Sequence, residues 1–195
     1  MVNAHDLLWG MTPAHLPADA PAWAVEAIGT VVVRRAIVAP GQVAVGVRGR
    51  FREQRLAVQM PIAAVQRRVI PQALRDVVSM RDLPALQALE QLRPVLAALN
   101  WGVTGSAGFE LATGIEALHA QSDLDLILHT PGPLDRNDSR DLLATLDKAA
   151  CAVDMQLQTP FGAIALREWA GPSRRVLLKT ASGAHLVVDP WQAVA

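Results

Sequence analysis

Apolar and polar positions change rhythm twice along the chain. In the first third they run as short β-branched stretches: TVVVRRAIV (30–38), QVAVGVRG (42–49) and RLAVQMP (55–61). The APG between the first two predicts a hairpin, and Pro61 ends the third strand. AWAVEAIG (22–29), with Pro21 just before it, predicts a short helix. From residue 70 the spacing turns helical, over IPQALRDVV (70–78) and then LPALQALEQLRPVLAALN (83–100). Leu86, Leu89, Leu92 and Leu96 share one face of the second helix, and Pro94 is expected to kink or divide it.

Beyond residue 100 the two rhythms alternate. WGVTGS predicts a strand and a tight turn, GIEALHA (114–120) a short helix, and LDLILHT (124–130) a strand ended by PGP. NDSRDLLATLDKAA (137–150) opens on polar capping residues and sets Leu142, Leu143 and Leu146 on one helical face. AVDMQLQT (152–159), GAIALREWA (162–170), RRVLLKT (174–180) and HLVVDP (185–190) read as further strands. Strands interleaved with helices predict an α+β or mixed α/β fold: a mixed sheet flanked by helices, preceded by a small β-rich N-terminal domain. The boundary is expected near residue 86, giving domains 1–86 and 87–195.

Composition narrows the functional classes. With 51% hydrophobic residues and a mean hydropathy of +0.23, disorder is not expected. No apolar run reaches the ~18 residues of a membrane span, and MVNAHDLLWG lacks the pattern of a signal peptide. A single cysteine, Cys151, fits a reducing compartment, so a cytoplasmic protein is expected. Its place between an apolar helix and a strand predicts a small buried residue.

The net charge is zero but unevenly spread: residues 1–86 hold ten Arg against six acids, residues 87–195 eight basic and twelve acidic residues. Six Arg (34, 35, 48, 50, 52, 55) fall within 34–55 with Glu53 as the only acid. Such a local cluster suits a polyphosphate better than the long basic stripe of a nucleic-acid binder, and nucleic acid is not an expected partner. Sixteen of the 18 basic residues are Arg, a ratio that GC-rich codon usage also produces.

The chemistry concentrates in GSAGFELATGIEALHAQSDLDLIL (105–128). In a strand, Asp123 and Asp125 would share a face, roughly 7 Å apart along the backbone. Two adjacent carboxylates repel, and a divalent cation between them removes that cost; carboxylates and phosphate oxygens are what Mg²⁺ takes as ligands. Asp154, opening the next strand but one helix later, is the candidate third carboxylate, with which one or two ions could be held. Gly105 and Ser106 offer a close backbone approach and an amide and hydroxyl for a phosphate. Each motif alone has a plainer reading, since Asp-x-Asp also occurs at solvated edges and Asp154 could merely begin a strand. The ordered set is far more specific.

That order, Gly-Ser, then Asp-x-Asp opening a strand, then a helix and an Asp on the next strand, resembles the nucleotidyltransferase superfamily of the DNA polymerase β type. The 16 residues between Ser106 and Asp123 exceed the superfamily's usual spacing. A narrower resemblance runs through HDLLW, WGVTGSAGFELATG, SDLDLIL, VDMQLQTPFGAIALREWA and VLLKTASGAHLVVDPW, in order from residue 5 to residue 191. These segments are similar to the phosphoribosyl-dephospho-CoA transferases of malonate decarboxylase. The resemblance implies transfer of a phosphoribosyl-dephospho-CoA unit from triphosphoribosyl-dephospho-CoA to a serine of an apo acyl carrier protein subunit, with release of pyrophosphate.

It further implies Mg²⁺ at Asp123 and Asp125, with Asp154 as a ligand or as the base for the serine. Gly105, Ser106, Arg48, Arg50 and Lys179 become phosphate candidates, with Arg52, Arg55 and Arg175 behind them; the Arg cluster could instead face the carrier or only solvent. His5 and Asp6 either join the site or cap the first element. Trp9, Trp101, Trp169 and Trp191 are expected in the core, and no His is patterned to make Ser106 a nucleophile. Two rivals remain at this level: a nucleotidyltransferase using an ordinary nucleoside triphosphate on another acceptor, and a non-catalytic nucleotide- or carrier-binding module.

Overall fold

The computed structural model describes residues 2–51 and 53–193, and the chain divides into two compact units at Ile70–Pro71. The first unit is a five-stranded antiparallel sheet of β1 (Leu7–Trp9), β2 (Val31–Val33), β3 (Gln42–Arg48), β4 (Arg55–Pro61) and β5 (Arg67–Val69). Its order is β4-β3-β2-β1-β5. The β-branched runs supply one buried face, with Val31, Val45 and Val47 fully inaccessible. Helix α1 (Ala22–Ala27) adds Ala24, and Ile28 just after it, to the same core. β2 is shorter than the expected 30–38, because beyond Val33 the chain runs through Arg34 and Arg35 toward Pro40 and the Gly41 turn at φ 80°.

His5 and Asp6 have structural partners in this unit. Asp6, 1% exposed, accepts from the Asn3 amide and from Arg68 Nε, both at 2.7 Å, and so ties β1 to β5. His5 Nε2 lies 3.0 Å from Arg35 Nη1. Trp9 is half-buried, with the Arg67 guanidinium 4.3 Å from its ring centre.

The second unit begins at Pro71, earlier than the boundary expected near residue 86. Segment 71–83 belongs to it because its backbone is committed there. Pro71 packs so tightly on Gly102 that a β-carbon at 102 would lie 2.4 Å from the Pro71 carbonyl carbon. Arg93 donates to the Arg75 and Val77 carbonyls. Within 70–78 the chain forms only a 3-10 turn, at Pro71–Leu74, in place of the expected helix.

Helix α2 (Pro84–Leu96) buries Leu86, Leu89, Leu92 and Leu96 as its spacing predicts, and Pro94 does not divide it. Pro94 is exposed and close to the C-terminal end, so the carbonyl of exposed Glu90 left without its partner is open to water.

The unit's sheet has the order β11-β10-β9-β8-β7-β6. Its strands are β6 (Trp101–Val103), β7 (Leu124–His129), β8 (Val153–Thr159), β9 (Gly162–Ala165), β10 (Val176–Lys179) and β11 (Ala184–Val187). β7 and β8 are parallel, joined through α4 (Arg136–Leu146), and the other pairings are antiparallel. This is the mixed sheet the alternating pattern implies. Asp135 caps α4 by accepting from the Asn137 amide at 2.6 Å.

Two elements depart from expectation. Gly105 and Ser106, read as a tight turn, open helix α3 (Gly105–Thr113), and the expected helix over 114–120 is an irregular segment after the left-handed C-cap Gly114. The strand expected over 162–170 ends at Ala165, where the chain turns into α5 (Leu166–Ala170). Arg136 donates to the Trp169 and Gly171 carbonyls, and Arg140 to that of Ala170, fastening α5 to α4. Trp101 is 1% exposed, and Trp169 and Trp191, 9% exposed each, meet edge to face at 5.1 Å. Among the described residues no helix is long and apolar enough to cross a membrane.

Candidate active site

The site is assembled where β7 and β8 begin. Leu124, Leu126 and Leu128 point into the core, which leaves Asp125 on the opposite face. Parallel pairing sets Asp125 directly beside Asp154. Asp123 does not lie in the strand, as its spacing suggested, but immediately before it. Even so, Asp123, Asp125 and Asp154 each bring one carboxylate oxygen to within 4.8 Å of the others. Three oxygens from three carboxylates at that separation fit a hard divalent cation. Asp123 and Asp154 are exposed and Asp125 half-buried, so the cluster opens to solvent.

Helix α3 borders the cluster. The Thr104 amide donates to the Asp125 carbonyl at 2.9 Å, so the helix starts beside that residue. Gly105 then takes φ 62°, and a β-carbon there would sit 1.9 Å from Asp125 Oδ2. The position requires glycine both for its backbone angle and for the carboxylate packed against it. Gly105 and half-buried Ser106 form the first positions of the helix, where the helix dipole favours an anion. The long gap between Ser106 and Asp123 is filled by α3 itself and the irregular segment that returns along it.

An open cleft adjoins the cluster, with Asp125, Asp154, Gln156, Arg167 and Lys179 among its walls. The strand-to-helix switch at Leu166 creates it. Pairing of β9 with β8 runs from Thr159–Gly162 to Gln156–Ala165 and stops, so the start of β8 has no β9 neighbour beside Asp154. A strand continued to residue 170 would have closed that edge.

Arg167 and Gln156 are cleft residues that the sequence reading did not single out. Arg167 Nη2 donates to Asp147 Oδ1 at 2.7 Å. That bond raises its pKa; burial opposes the rise, and the nearby charges of Asp147 and Asp154 add to it. Gln156 Oε1 is buried with no hydrogen-bond partner. The signal for Gln156 was its place two residues beyond Asp154, on the same strand face; nothing in the sequence marked Arg167. Burial, and the negative charge of Asp123, push the half-buried Cys151 thiol up, leaving it a poor nucleophile.

The expected arginines lie in the first unit, around the β3–β4 hairpin. Arg48 ends β3 opposite Arg55 at the start of β4. Arg50 is exposed, 5.9 Å from the Phe51 ring centre. Arg55 Nη1 donates to the Phe51 and Gln54 carbonyls at 3.4 and 3.1 Å. Arg52 lies outside the described residues. Lys179 is an exposed wall of the cleft, and Arg175 is exposed just before β10.

A mixed sheet whose parallel pair gathers three carboxylates beside a Gly-Ser helix start has the layout implied by the nucleotidyltransferase resemblance. Comparison with known proteins narrows the class. The model of the phosphoribosyl-dephospho-CoA transferase MdcG N-terminal domain matches residues 3–71, and that of the C-terminal domain residues 73–190. The chain belongs to the phosphoribosyl-dephospho-CoA transferase family.

Relatives named phosphoribosyl-dephospho-CoA transferase include one from Pseudomonas fluorescens (strain Pf0-1), 62% identical over 98% of this chain and 97% of the relative. One from Pseudomonas syringae pv. tomato is 58% identical over 98% and 94%. One from Azotobacter vinelandii is 52% identical over 98% and 95%. No solved structure matches the chain significantly.

Proposed function

We propose that this chain transfers the phosphoribosyl-dephospho-CoA group of triphosphoribosyl-dephospho-CoA to a serine hydroxyl of the apo acyl carrier protein subunit of malonate decarboxylase. The observation that carries this reading is the convergence of Asp123, Asp125 and Asp154 in a chain matched by both domains of the transferase family. Mg²⁺ is the cofactor we assign to these three carboxylates, one or two ions in number; when bound, it supplies charge neutralisation for the phosphates.

In the reaction the serine oxygen bonds to the α-phosphorus while the bond from that phosphorus to the bridging oxygen of pyrophosphate breaks. The serine proton passes to the Asp154 carboxylate and from there to solvent. Gly105 and Ser106 hold a phosphate at the start of α3, and Lys179 and Arg167 meet the negative charge leaving as pyrophosphate. Gln156 Oε1 accepts from a hydroxyl or amino group of the donor.

Incubation with the triphosphoribosyl donor, Mg²⁺ and apo carrier is expected to release pyrophosphate only when carrier and donor are both present. Release from ATP or CTP without carrier would favour an ordinary nucleotidyltransferase, and no release with any donor a binding module.

A further inference from the structure

Glu110 lies on α3, only 5% exposed, and its two carboxylate oxygens hold different things. Oε1 accepts from Arg81 Nη1 at 2.7 Å. Oε2 accepts from the backbone amides of Ala117 at 2.7 Å and Leu118 at 2.9 Å. Arg81 also donates to the Leu118 carbonyl at 3.4 Å, closing the clamp from the other side. Residues 114–119 have no regular secondary structure, so their amides need partners from elsewhere. A buried carboxylate that takes two of them fixes where this segment runs.

The segment leads directly to the carboxylate cluster. Past the clamp, the His119 amide donates to Ser122 Oγ and the Ser122 amide to the His119 carbonyl, each at 3.0 Å. Ser122 is buried, and the next residue is Asp123. Because Asp123 precedes β7, its neighbours in the chain set its position, whereas Asp125 and Asp154 are held by the β7–β8 ladder. The helix bearing Glu110 is also the one whose first residue packs on the Asp125 carboxylate. One rigid helix thus meets both arms of the cluster, Asp125 at its start and the approach to Asp123 through Glu110.

We infer that Glu110 is a positioning residue, holding segment 114–122 on α3 so that Asp123 stays with Asp125 and Asp154 as a third cation ligand. The inference rests on the divalent-cation reading of the cluster. Mn²⁺ titration by calorimetry, together with hydrogen exchange, tests it on the full chain. Glu110→Gln keeps the volume but loses the charge that binds two amides and a guanidinium. It is expected to weaken Mn²⁺ binding ~10-fold, the size typical of groups that orient metal ligands.

The Ala117 and Leu118 amides should exchange faster, with β7 and β8 protected as in wild type. In an Asp123→Asn background the same substitution should no longer affect Mn²⁺ affinity, a coupling that a merely structural role would not produce. Faster exchange with unchanged Mn²⁺ affinity would overturn the positioning role alone. A wild-type chain that binds no Mn²⁺ would overturn the cation reading and the inference with it. Arg81→Gln leaves both amide bonds in place and should give a smaller loss of affinity; it carries the same test if Glu110→Gln does not fold.

Discussion

Gly105 and Asp125 are packed so closely that a β-carbon on residue 105 would lie 1.9 Å from the Asp125 Oδ2 atom. Gly105→Ala must therefore displace the carboxylate, and in addition it places an L-residue at φ 62°, at a cost of about 1–2 kcal/mol. The expected result is a folded protein with activity reduced about 10²-fold, the scale of a misplacement near 1 Å. Steady-state pyrophosphate release beside a thermal melt checks this. Undiminished activity would mean that the Asp125 position is not critical.

Arg167 tests the cleft. Its bond to Asp147 joins two side chains about half exposed, so Arg167→Ala should cost only about 0–1 kcal/mol of stability. If the guanidinium meets a phosphate, losing a charged hydrogen bond worth roughly 1.5–3 kcal/mol should raise KM for the triphosphate donor about tenfold or more. Arg167→Lys should restore part of it. An unchanged KM and kcat in Arg167→Ala would remove this residue from the site.

Glu110 should be visible in the acid limb of the stability curve. Burial alone would push its carboxyl up, but the Ala117 and Leu118 amides and the Arg81 guanidinium outweigh burial and hold it below its ordinary 4.5. A carboxyl with a lower pKa folded than unfolded stabilises above the unfolded value, and that contribution is lost as pH falls through the folded value. The Tm gap between wild type and Glu110→Gln should accordingly be full near neutrality and shrink as pH drops below 4.5. A gap independent of pH would contradict a charged Glu110.

Much of this site could be read from the chain because strands declare themselves by alternation. Asp125 and Asp154 stand among apolar residues that must face a core, and that fixes their own face. Helix α3 was hidden by its glycines. Gly105 reads as a turn residue and Gly108 lowers helix propensity, yet Gly108 is there because a β-carbon would come within 2.8 Å of the Val103 carbonyl oxygen, a tertiary constraint with no local signature. GIEALHA has the composition of a helix, but the amides of Ala117 and Leu118 are spent on the Glu110 carboxylate, and no spacing rule announces a buried carboxylate reaching across a loop. The switch at Leu166 escaped because GAIALREWA (162–170) reads as one continuous strand through it. The open edge beside Asp154, and Arg167 with it, came only from the observed register.

The central claim is transfer of the prosthetic group to a carrier serine through the three carboxylates. Intact-mass measurement of the apo carrier after incubation with the chain, the triphosphoribosyl donor and Mg²⁺ tests it most directly. The predicted result is a gain of one phosphoribosyl-dephospho-CoA unit, mapped to a single serine, with wild type and no more than a trace with Asp125→Asn. An unmodified carrier with folded wild-type chain, or equal modification by Asp125→Asn, would contradict it.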